Sequence, residues 1–296
     1  MSDALTPLVE RLDALLALLQ SQWGDHVAAP DWSSSIAFRY RRKGPRAWLD
    51  PVRGLSPIAL SDLQEIDAQK DKILQNTQRF LQGLPANNVL LTGARGTGKS
   101  SLIKACLNAM ADQGLRLIEM DKGDLVDLPD VVTLVAQRPE RFVIYCDDLS
   151  FEEGDPAYKA LKSVLDGSVS ATSANVLVYA TSNRRHLLPE YMKDNLSYTH
   201  TEDGEVHPGE VIEEKISLSE RFGLWVSFYP FSQDEYLTVV RQWLMAMGMD
   251  EASVQAARPA ALVWALERGS RSGRVAYQFA CDHVGAWRST HGQAHP

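Results

Sequence analysis

The sequence predicts an α/β fold, with a parallel five-stranded sheet followed by a small all-helical domain. Five short apolar runs are typical of strands, helical patterns separate them, and the strand patterns end near Pro230. The runs are NVLLTG, LRLIEMD, RFVIYCD, NVLVYATS and LWVSFYP. Strands that alternate with helices form a parallel sheet covered on both faces, which explains why the runs are apolar throughout.

The helical patterns complete this division of the chain. In the first part of the fold we predict helices at about 60–83, 99–112, 130–138 and 156–166. After Pro230, Ser232 and Glu235 have capping-box spacing at the start of a helix that closes at Gly248. Two more helices are predicted near 259–268 and 273–287. The expected domains are an N-terminal extension (1–57), an α/β core (58–230) and a helical lid domain (231–296).

Composition narrows the classes of function. The 296 residues include 30 basic and 38 acidic side chains, a net charge of −8, which argues against a broad DNA-binding surface. No run of eighteen apolar residues occurs, so no membrane-spanning helix is expected. The three cysteines form no CxxC pair and suggest neither a zinc site nor a disulfide framework. A reducing cytoplasm is the expected location.

The N-terminal extension carries two distinct patterns. A leucine-rich stretch predicts an amphipathic helix with one apolar side, formed by Leu5, Leu8, Leu12, Leu15, Leu16 and Leu19. The segment FRYRRKGPRAW then interleaves aromatic residues with five cations, Arg39, Arg41, Arg42, Lys43 and Arg46. We interpret this segment as a basic arm docked on the acidic body. Binding to nucleic acid or nucleotide phosphate is the alternative.

The stretch GARGTGKS matches the phosphate-loop pattern G-x-x-x-x-G-K-[ST]. An apolar strand precedes it and a helical pattern follows, so backbone N–H groups and a helix N-terminus would face the same anion. Lys99 is predicted to reach the β- and γ-phosphates, and the Ser100 hydroxyl to hold Mg²⁺. The predicted ligands are therefore ATP or ADP with Mg²⁺. The predicted nucleotide-binding residues of this loop are Gly93, Ala94, Arg95, Gly96, Thr97, Gly98, Lys99, Ser100 and Ser101.

Polar residues follow two further apolar strands. Asp147, at the end of RFVIYC, is predicted to bind Mg²⁺ through water, and Asp148 to polarise the attacking water. Glu152 and Glu153 follow in the same loop, and either is an alternative base. Asn183, at the end of NVLVYATS, is predicted to orient the water beside the γ-phosphate.

These motifs, in this order, resemble the AAA+ ATPases over about residues 58–290. The stretches GARGTGKSSLIKA, CDDLSFEEGD, ATSNRRHLLPE, EEKISLSERFGLWVSF and SGRVAYQF resemble one bacterial AAA+ family, catalogued as domain of unknown function eight hundred and fifteen. The resemblance implies a P-loop NTPase fold and ATPase activity. It makes Asn183 the sensor at the end of the fourth core strand.

The same resemblance implies roles for two arginines. Arg221, in SLSERFGL, matches the arginine finger that such proteins insert into a neighbour's site, and Arg184 or Arg185 is the alternative finger. Arg274, in SGRVAYQF, matches the lid arginine that touches the nucleotide of its own subunit, and Arg271 competes with it. The superfamily packs adenine near the positions of Leu60, Leu63 and Ile66, although core packing explains these residues nearly as well.

Two features depart from the common superfamily pattern, and a polar segment also interrupts the core. The acidic strand ends in Asp147-Asp148 instead of Asp-Glu, so the reach to the water is shorter and slow hydrolysis is expected. The loop DKGDLVDLPD lacks the aromatic residue of threading unfoldases, so threading of peptides is not supported. The polar, acidic segment 193–215 is predicted to be a mobile loop near the subunit boundary, where it could contact a partner.

The leading functional hypothesis is an ATPase that acts as an oligomeric molecular switch or remodeller of an unknown protein partner. The copies would assemble head-to-tail as a ring or a helix, since the finger acts on a neighbour. A DNA-associated loader or initiator-like ATPase is the alternative, with nucleic acid a less favoured partner. A small-molecule kinase fits the motifs least well.

Overall fold

The computed structural model describes residues 27–152, 155–166, 174–183, 199–200, 206–207 and 218–291, together with Arg11 and Leu187. Several predicted features lie outside these described residues. They are the leucine-rich helix, nearly all of segment 193–215, and the alternative site residues Glu153, Arg184 and Arg185.

An eight-stranded sheet forms the centre of the described structure, in the order β1-β3-β2-β5-β6-β7-β4-β10. Neighbouring strands are parallel except β2 and β3, which form an antiparallel hairpin. The pair β8 and β9 forms a separate two-stranded sheet. The strand bounds are β1 Val27–Ala28, β2 Ala37–Lys43, β3 Arg46–Pro51, β4 Val89–Gly93, β5 Leu115–Glu119, β6 Arg141–Cys146, β7 Val176–Ser182, β8 Thr199–His200, β9 Val206–His207 and β10 Leu224–Phe228.

The predicted number of five strands is wrong. The five expected strands are present side by side as β5-β6-β7-β4-β10, but the N-terminal extension adds three more beside β5. The segment interpreted as a basic arm turns at Gly44, where φ is 60°, and becomes β2 and β3. Phe38 and Tyr40 are buried while Arg41 is exposed, so the aromatic and cationic residues alternate as the two faces of a strand.

Seven α-helices are described. Their bounds are α1 Asp67–Leu81, α2 Lys99–Met110, α3 Leu128–Val135, α4 Pro156–Leu165, α5 Gln233–Ala246, α6 Glu251–Glu267 and α7 Gly273–His291. Three follow the last strand of the sheet, and their status as a separate lid domain stays a prediction, as do the domain boundaries at 57 and 230. None of the described helices combines the length and hydropathy that a membrane span requires.

Three predicted helices have wrong bounds: the pattern at 130–138 forms α3 at Leu128–Val135, and two others differ more. The pattern at 60–83 forms a short 3₁₀ turn at Leu60–Asp62 and then α1, because Glu65 adopts a left-handed conformation (φ 63°) that interrupts the helix. Helix α6 begins well before the predicted residue 259. The Asp250 side chain caps it by accepting a hydrogen bond from the Ser253 backbone at 2.8 Å, and Pro259 lies inside the helix.

Two apolar layers cover the sheet, and alternate residues of β6 enter each. Val143 and Tyr145 face the layer that contains α1, α2 and the C-terminal helices. Phe142, Ile144 and Cys146 face the layer that contains α3 and α4. The sheet is therefore covered on both faces, as the continuous apolar runs predict.

Ion pairs and aromatic contacts attach the N-terminal hairpin to the core. Arg39 pairs with Glu119 at 2.6 Å and Arg42 with Asp127 at 2.8 Å. The Trp32 ring packs edge-on against Phe38 and Phe142, with centroids 5.1 Å apart in both pairs. The hairpin is thus held against acidic side chains and apolar surface of the core.

Candidate functional site

Three neighbouring strands end at one edge of the sheet, and the predicted site residues lie at that edge. β7 lies between β6 and β4, and all three are parallel. Their carboxyl ends carry the glycine-rich loop after β4, Asp147 and Asp148 after β6, and Asn183 after β7. Ligands of open α/β sheets bind outside the carboxyl ends of the strands. The fold thus brings together the predicted residues of three separate motifs.

Lys99, the first residue of α2, is anchored inside the glycine-rich loop. Only 6% of it is exposed, and its Nζ atom donates to the carbonyl oxygens of Gly93 at 2.6 Å and Ala94 at 2.8 Å. A third bond reaches Asn183 Oδ1 at 3.1 Å. Burial lowers the pKa of the Lys99 amine, while the carboxylates of Asp147 and Asp148 act in the opposite direction. A cation is therefore held where the loop amides and the α2 N-terminus can receive an anion.

Asp147 is held by hydroxyl groups from two other elements. Its Oδ1 atom accepts hydrogen bonds from Ser100 Oγ at 2.8 Å and from Thr181 Oγ1 at 2.6 Å. Burial raises the pKa of the Asp147 carboxyl, but the surrounding hydroxyl groups outweigh this effect and keep the pKa below its ordinary value. Thr181 is a bridging residue that the sequence reasoning did not single out. The site therefore contains an ionised carboxylate beside a serine hydroxyl.

Tyr145 provides a test of whether these residues fit a metal ion. It is 1% exposed, and its hydroxyl lies within reach of Ser100, Asp147 and Thr181 but makes no hydrogen bond of standard geometry among the described residues. A buried hydroxyl without a partner is costly and calls for an explanation such as an ion or water. Hard oxygen donors suit Mg²⁺, which usually takes one or two carboxylates together with phosphates. The residues therefore fit Mg²⁺ with a nucleotide.

Asp148 adopts an unusual backbone conformation beside Asp147. Its φ is 50°, in the left-handed region, and its N–H donates to Thr181 Oγ1 at 2.9 Å. Asn183 Nδ2 donates to Asp148 Oδ1, and Arg95 Nη2 lies 3.6 Å from Oδ2. The carboxylate is 58% exposed and lines the same cleft as Asp147.

The start of α7 lies directly against the glycine-rich loop. The Arg274 N–H donates to the Gly96 carbonyl at 3.4 Å. Gly96 has a φ of 75°, and a Cβ atom there would lie 2.9 Å from Ser272 Oγ and 3.0 Å from Arg274 Cβ. Only glycine satisfies both the conformation and the space. A residue of the C-terminal helices is thus placed beside the loop of the same chain.

A cleft of about 890 Å³ joins these elements. Its lining combines residues of the glycine-rich loop, Asp147, Asp148 and Asn183 with apolar and aromatic residues that precede α1 or belong to the C-terminal helices. Leu63 and Ile66 line the cleft as expected, whereas Leu60 does not. Sequence reasoning missed Trp243 and Tyr277, whose rings meet edge-on at 4.8 Å. A cleft of this size with both polar and aromatic lining residues is typical of small-molecule sites.

Arg221 lies at the opposite end of the sheet. It precedes β10, which pairs with β4 from Leu224↔Val89 to Phe228↔Gly93. The five paired residues alone separate it from the glycine-rich loop by about 13 Å along the strand. Its Nε atom donates to Asp166 Oδ1 at the end of α4. Arg221 is therefore the predicted catalytic residue that the described structure does not bring to the cleft, and Gly93 and Ala94 of the glycine-rich loop do not line it either.

Two of the alternative residues also lie away from the cleft. Glu152 is exposed, and the residues that line the cleft do not include it. Arg271 is exposed as well, and its carbonyl oxygen accepts a hydrogen bond from the Phe231 N–H. The geometry thus favours Asp148 over Glu152 and Arg274 over Arg271.

Comparisons with known proteins agree with this architecture. The family described as "Protein of unknown function (DUF815)" matches residues 33–287. No curated protein matches the chain. Two structures of RuvB variants from Thermotoga maritima are similar to the chain. The first has a TM-score of 0.53 at 16% identity, and the match covers 80% of this chain and 68% of the RuvB chain. The second has a TM-score of 0.51 at 14% identity, and the match covers 80% of this chain and 67% of the RuvB chain.

A further solved structure comes from a different assembly. A chain of the HORMA:CdnC:Trip13 complex of E. coli MS115-1 has a TM-score of 0.50 at 13% identity, covering 75% of this chain and 90% of that one. RuvB and Trip13 are AAA+ ATPases. At such low identity the likeness establishes the fold alone. The chain belongs to the DUF815 family, and its fold is that of the AAA+ ATPases.

Proposed function

We propose that this protein is a Mg²⁺-dependent ATPase that works as a head-to-tail oligomer and acts as a switch or remodeller on a protein partner. The observation that carries the proposal is the division of the predicted residues between the two ends of the sheet. Lys99, Asp147, Asp148 and Arg274 line one cleft, whereas Arg221 lies at the other end. A site divided in this way is completed by a second copy.

The phosphate chain of ATP would bind at the glycine-rich loop. Backbone N–H groups of residues 95–100 and the N-terminus of α2 offer donors to the phosphate oxygens. Lys99 would exchange its bonds to the loop carbonyls for bonds to the β- and γ-phosphates. The Arg274 side chain, which enters from α7, would add a second cation from the same chain.

Ser100 and Asp147 are the residues that would hold Mg²⁺, which supplies positive charge to offset the phosphates. Asp148 would accept the proton of the attacking water, with Asn183 orienting the same water. The water oxygen forms a bond to the γ-phosphorus while the bond to the β–γ bridging oxygen breaks, which yields ADP and phosphate. The exposed Asp148 carboxylate can rotate toward this water once nucleotide replaces its contact with Arg95.

Arg221 would act on the site of the neighbouring copy. A guanidinium placed against the γ-phosphate stabilises the charge that gathers there in the transition state. Because the donor face and the acceptor face differ, such copies assemble head-to-tail and close into a ring or extend as a helix. Nucleotide bound between core and C-terminal helices would then shift one against the other, and this motion would act on the partner.

The ATPase rate should depend on assembly and on Arg221. We expect the specific activity of the wild-type protein to rise with protein concentration. Arg221→Ala should lower hydrolysis on the order of a hundredfold or more, because a transition-state donor is lost, with ATP affinity unchanged. Phosphate release measured over a concentration series, together with calorimetric ATP binding, checks both expectations.

A matched control is Arg241→Ala, which removes an exposed arginine paired with Glu251 away from the cleft. It should hydrolyse ATP like the wild type. A rate that is independent of concentration and indifferent to Arg221 would contradict the shared site and leave a self-contained one.

The aromatic residues of the cleft should recognise the base. Tyr277, which is 45% exposed, offers a stacking surface beside Trp243. Tyr277→Ala should weaken ATP binding by about tenfold, since stacking on an aromatic ring contributes substantially for every base. Binding of inorganic triphosphate, which has no base, should not change.

The change in Trp243 fluorescence on nucleotide addition reports this binding, and Trp243→Phe should remove that signal. Tyr229→Ala is the control, because Tyr229 is 73% exposed and lies outside the cleft. Equal loss of ATP and triphosphate binding in Tyr277→Ala would place the base elsewhere.

The N-terminal hairpin gives less support to a nucleic-acid partner. Two of its five cations, Arg39 and Arg42, are neutralised by carboxylates of the core. The DNA-associated alternative and the cytoplasmic location both stay predictions.

A further inference from the structure

Tyr145 and Tyr179 form a pair of buried tyrosines whose hydroxyl groups differ. They lie directly opposite each other on β6 and β7, and each is 1% exposed. The Tyr179 hydroxyl bonds to Thr77 Oγ1 at 2.8 Å and accepts from Asn76 Nδ2 at 3.1 Å. The Tyr145 hydroxyl makes no bond of comparable geometry in the described part of the chain, although three polar side chains lie within its reach.

Packing does not explain the Tyr145 hydroxyl. Phenylalanine would fill nearly the same volume without burying an unsatisfied polar atom. The polar neighbours of the hydroxyl are Ser100, Asp147 and Thr181, which are the two proposed Mg²⁺-holding residues and the threonine that bridges to Asp147. A buried donor without a well-aligned partner therefore lies beside the proposed metal site.

Asp147 has an oxygen that could use this donor. Within the described part of the chain, the hydrogen bonds that it accepts from Ser100 and Thr181 both end on Oδ1. Asp147 directly follows β6, two residues after Tyr145, and its carboxylate lies within reach of the Tyr145 hydroxyl. A small rotation of the carboxylate would allow the phenol to donate to it.

We propose that Tyr145 is a positioning residue of the metal site, whose hydroxyl donates to the Asp147 carboxylate when Mg²⁺ and nucleotide are bound. The inference rests on the proposed function. Groups that hydrogen-bond to metal-ligating carboxylates fix their orientation, and their loss weakens metal binding roughly ten- to a hundredfold. The hydroxyl would thus be poorly aligned with the carboxylate in the empty site and well aligned in the loaded one.

The test measures thermal unfolding of the full chain without turnover, using ADP at a fixed concentration and a titration of Mg²⁺. Tyr145→Phe should unfold at the wild-type temperature or higher without ligand, because it removes an unsatisfied hydroxyl. Its Mg²⁺ midpoint for stabilisation by ADP should rise by roughly tenfold.

Tyr179→Phe is the matched control, because it removes a satisfied hydroxyl from the paired position. It should unfold at a lower temperature without ligand and keep the wild-type Mg²⁺ midpoint. This opposite pattern separates a metal-specific role from a general disturbance of the sheet.

Two results would overturn the inference. One is a wild-type Mg²⁺ midpoint in Tyr145→Phe, and the other is an equal shift in both variants. A wild-type protein that ADP with Mg²⁺ does not stabilise would contradict the proposed function. The inference about Tyr145 would then also be wrong, because it rests on that function.

Discussion

Lys99→Ala should bind ATP far more weakly and lower its hydrolysis on the order of a hundred- to a thousandfold, because the buried cation that would neutralise the β- and γ-phosphates is lost. Calorimetric titration with ATP and steady-state phosphate release measure the two effects. Lys72→Ala is the matched control, since Lys72 is an exposed lysine of α1 that does not line the cleft. It should retain wild-type binding and activity.

A mixture of two inactive variants tests whether neighbouring copies share the active site. Lys99→Ala destroys its own site but still carries Arg221, whereas Arg221→Ala keeps its own site and lacks the finger. In a head-to-tail assembly, mixed neighbours pair an intact site with an intact finger, so part of the activity should return. Wild-type affinity for ATP in Lys99→Ala would contradict the assignment of the cleft. Failure of the mixture to recover activity would count against the shared site.

Gly93→Ala should cause the largest loss of stability among single substitutions in the glycine-rich loop. A Cβ atom at position 93 would lie 1.9 Å from the carbonyl oxygen of Phe228, and the backbone φ is 125°. Since Gly93 pairs directly with Phe228, the clash is with backbone that cannot rotate away. Strain and overpacking together should cost roughly 3–5 kcal/mol. Chemical denaturation followed by far-UV circular dichroism measures this loss.

Gly123→Ala serves as the control for the glycine substitution itself. A Cβ atom there would meet nothing within 4 Å. Its free energy of unfolding should stay within about 1 kcal/mol of the wild type. Equal stability of the two variants would show that the β4–β10 pairing tolerates a side chain at position 93.

The parts of the site that can be predicted from the sequence are those determined by residues close together in the chain. The phosphate-loop motif occupies eight consecutive residues between a strand and a helix, so its geometry follows from nearby residues alone. Asp147, Asp148 and Asn183 are also predictable, because each follows an apolar strand and parallel strands end at one edge. These residues reach the cleft, as their positions after strands imply.

The rest depends on contacts between distant segments. Trp243 and Tyr277 reach the cleft only through the packing of α5 on α7, which no local pattern specifies. The pairing of Arg221 with Asp166 depends on the relative position of two loops. The left-handed residue Glu65 breaks a helix although its sequence favours one. The sequence does not predict the added strands β2 and β3, because five cations in this segment obscure the alternation of buried and exposed residues.

The strand order has a consequence for how the protein is made. β4, which carries the glycine-rich loop, pairs on one side with β7 and on the other with β10, the last strand of the sheet. A ribosome must therefore release residues up to Phe228 before β4 has both neighbours, and up to Tyr277 before the cleft has its aromatic residues. Contacts between such distant segments form late because their loop-closure entropy must be offset first. A nascent chain thus exposes the phosphate-loop sequence long before it can bind a nucleotide. Nucleotide binding can stabilise only those chains whose synthesis has reached the last helix.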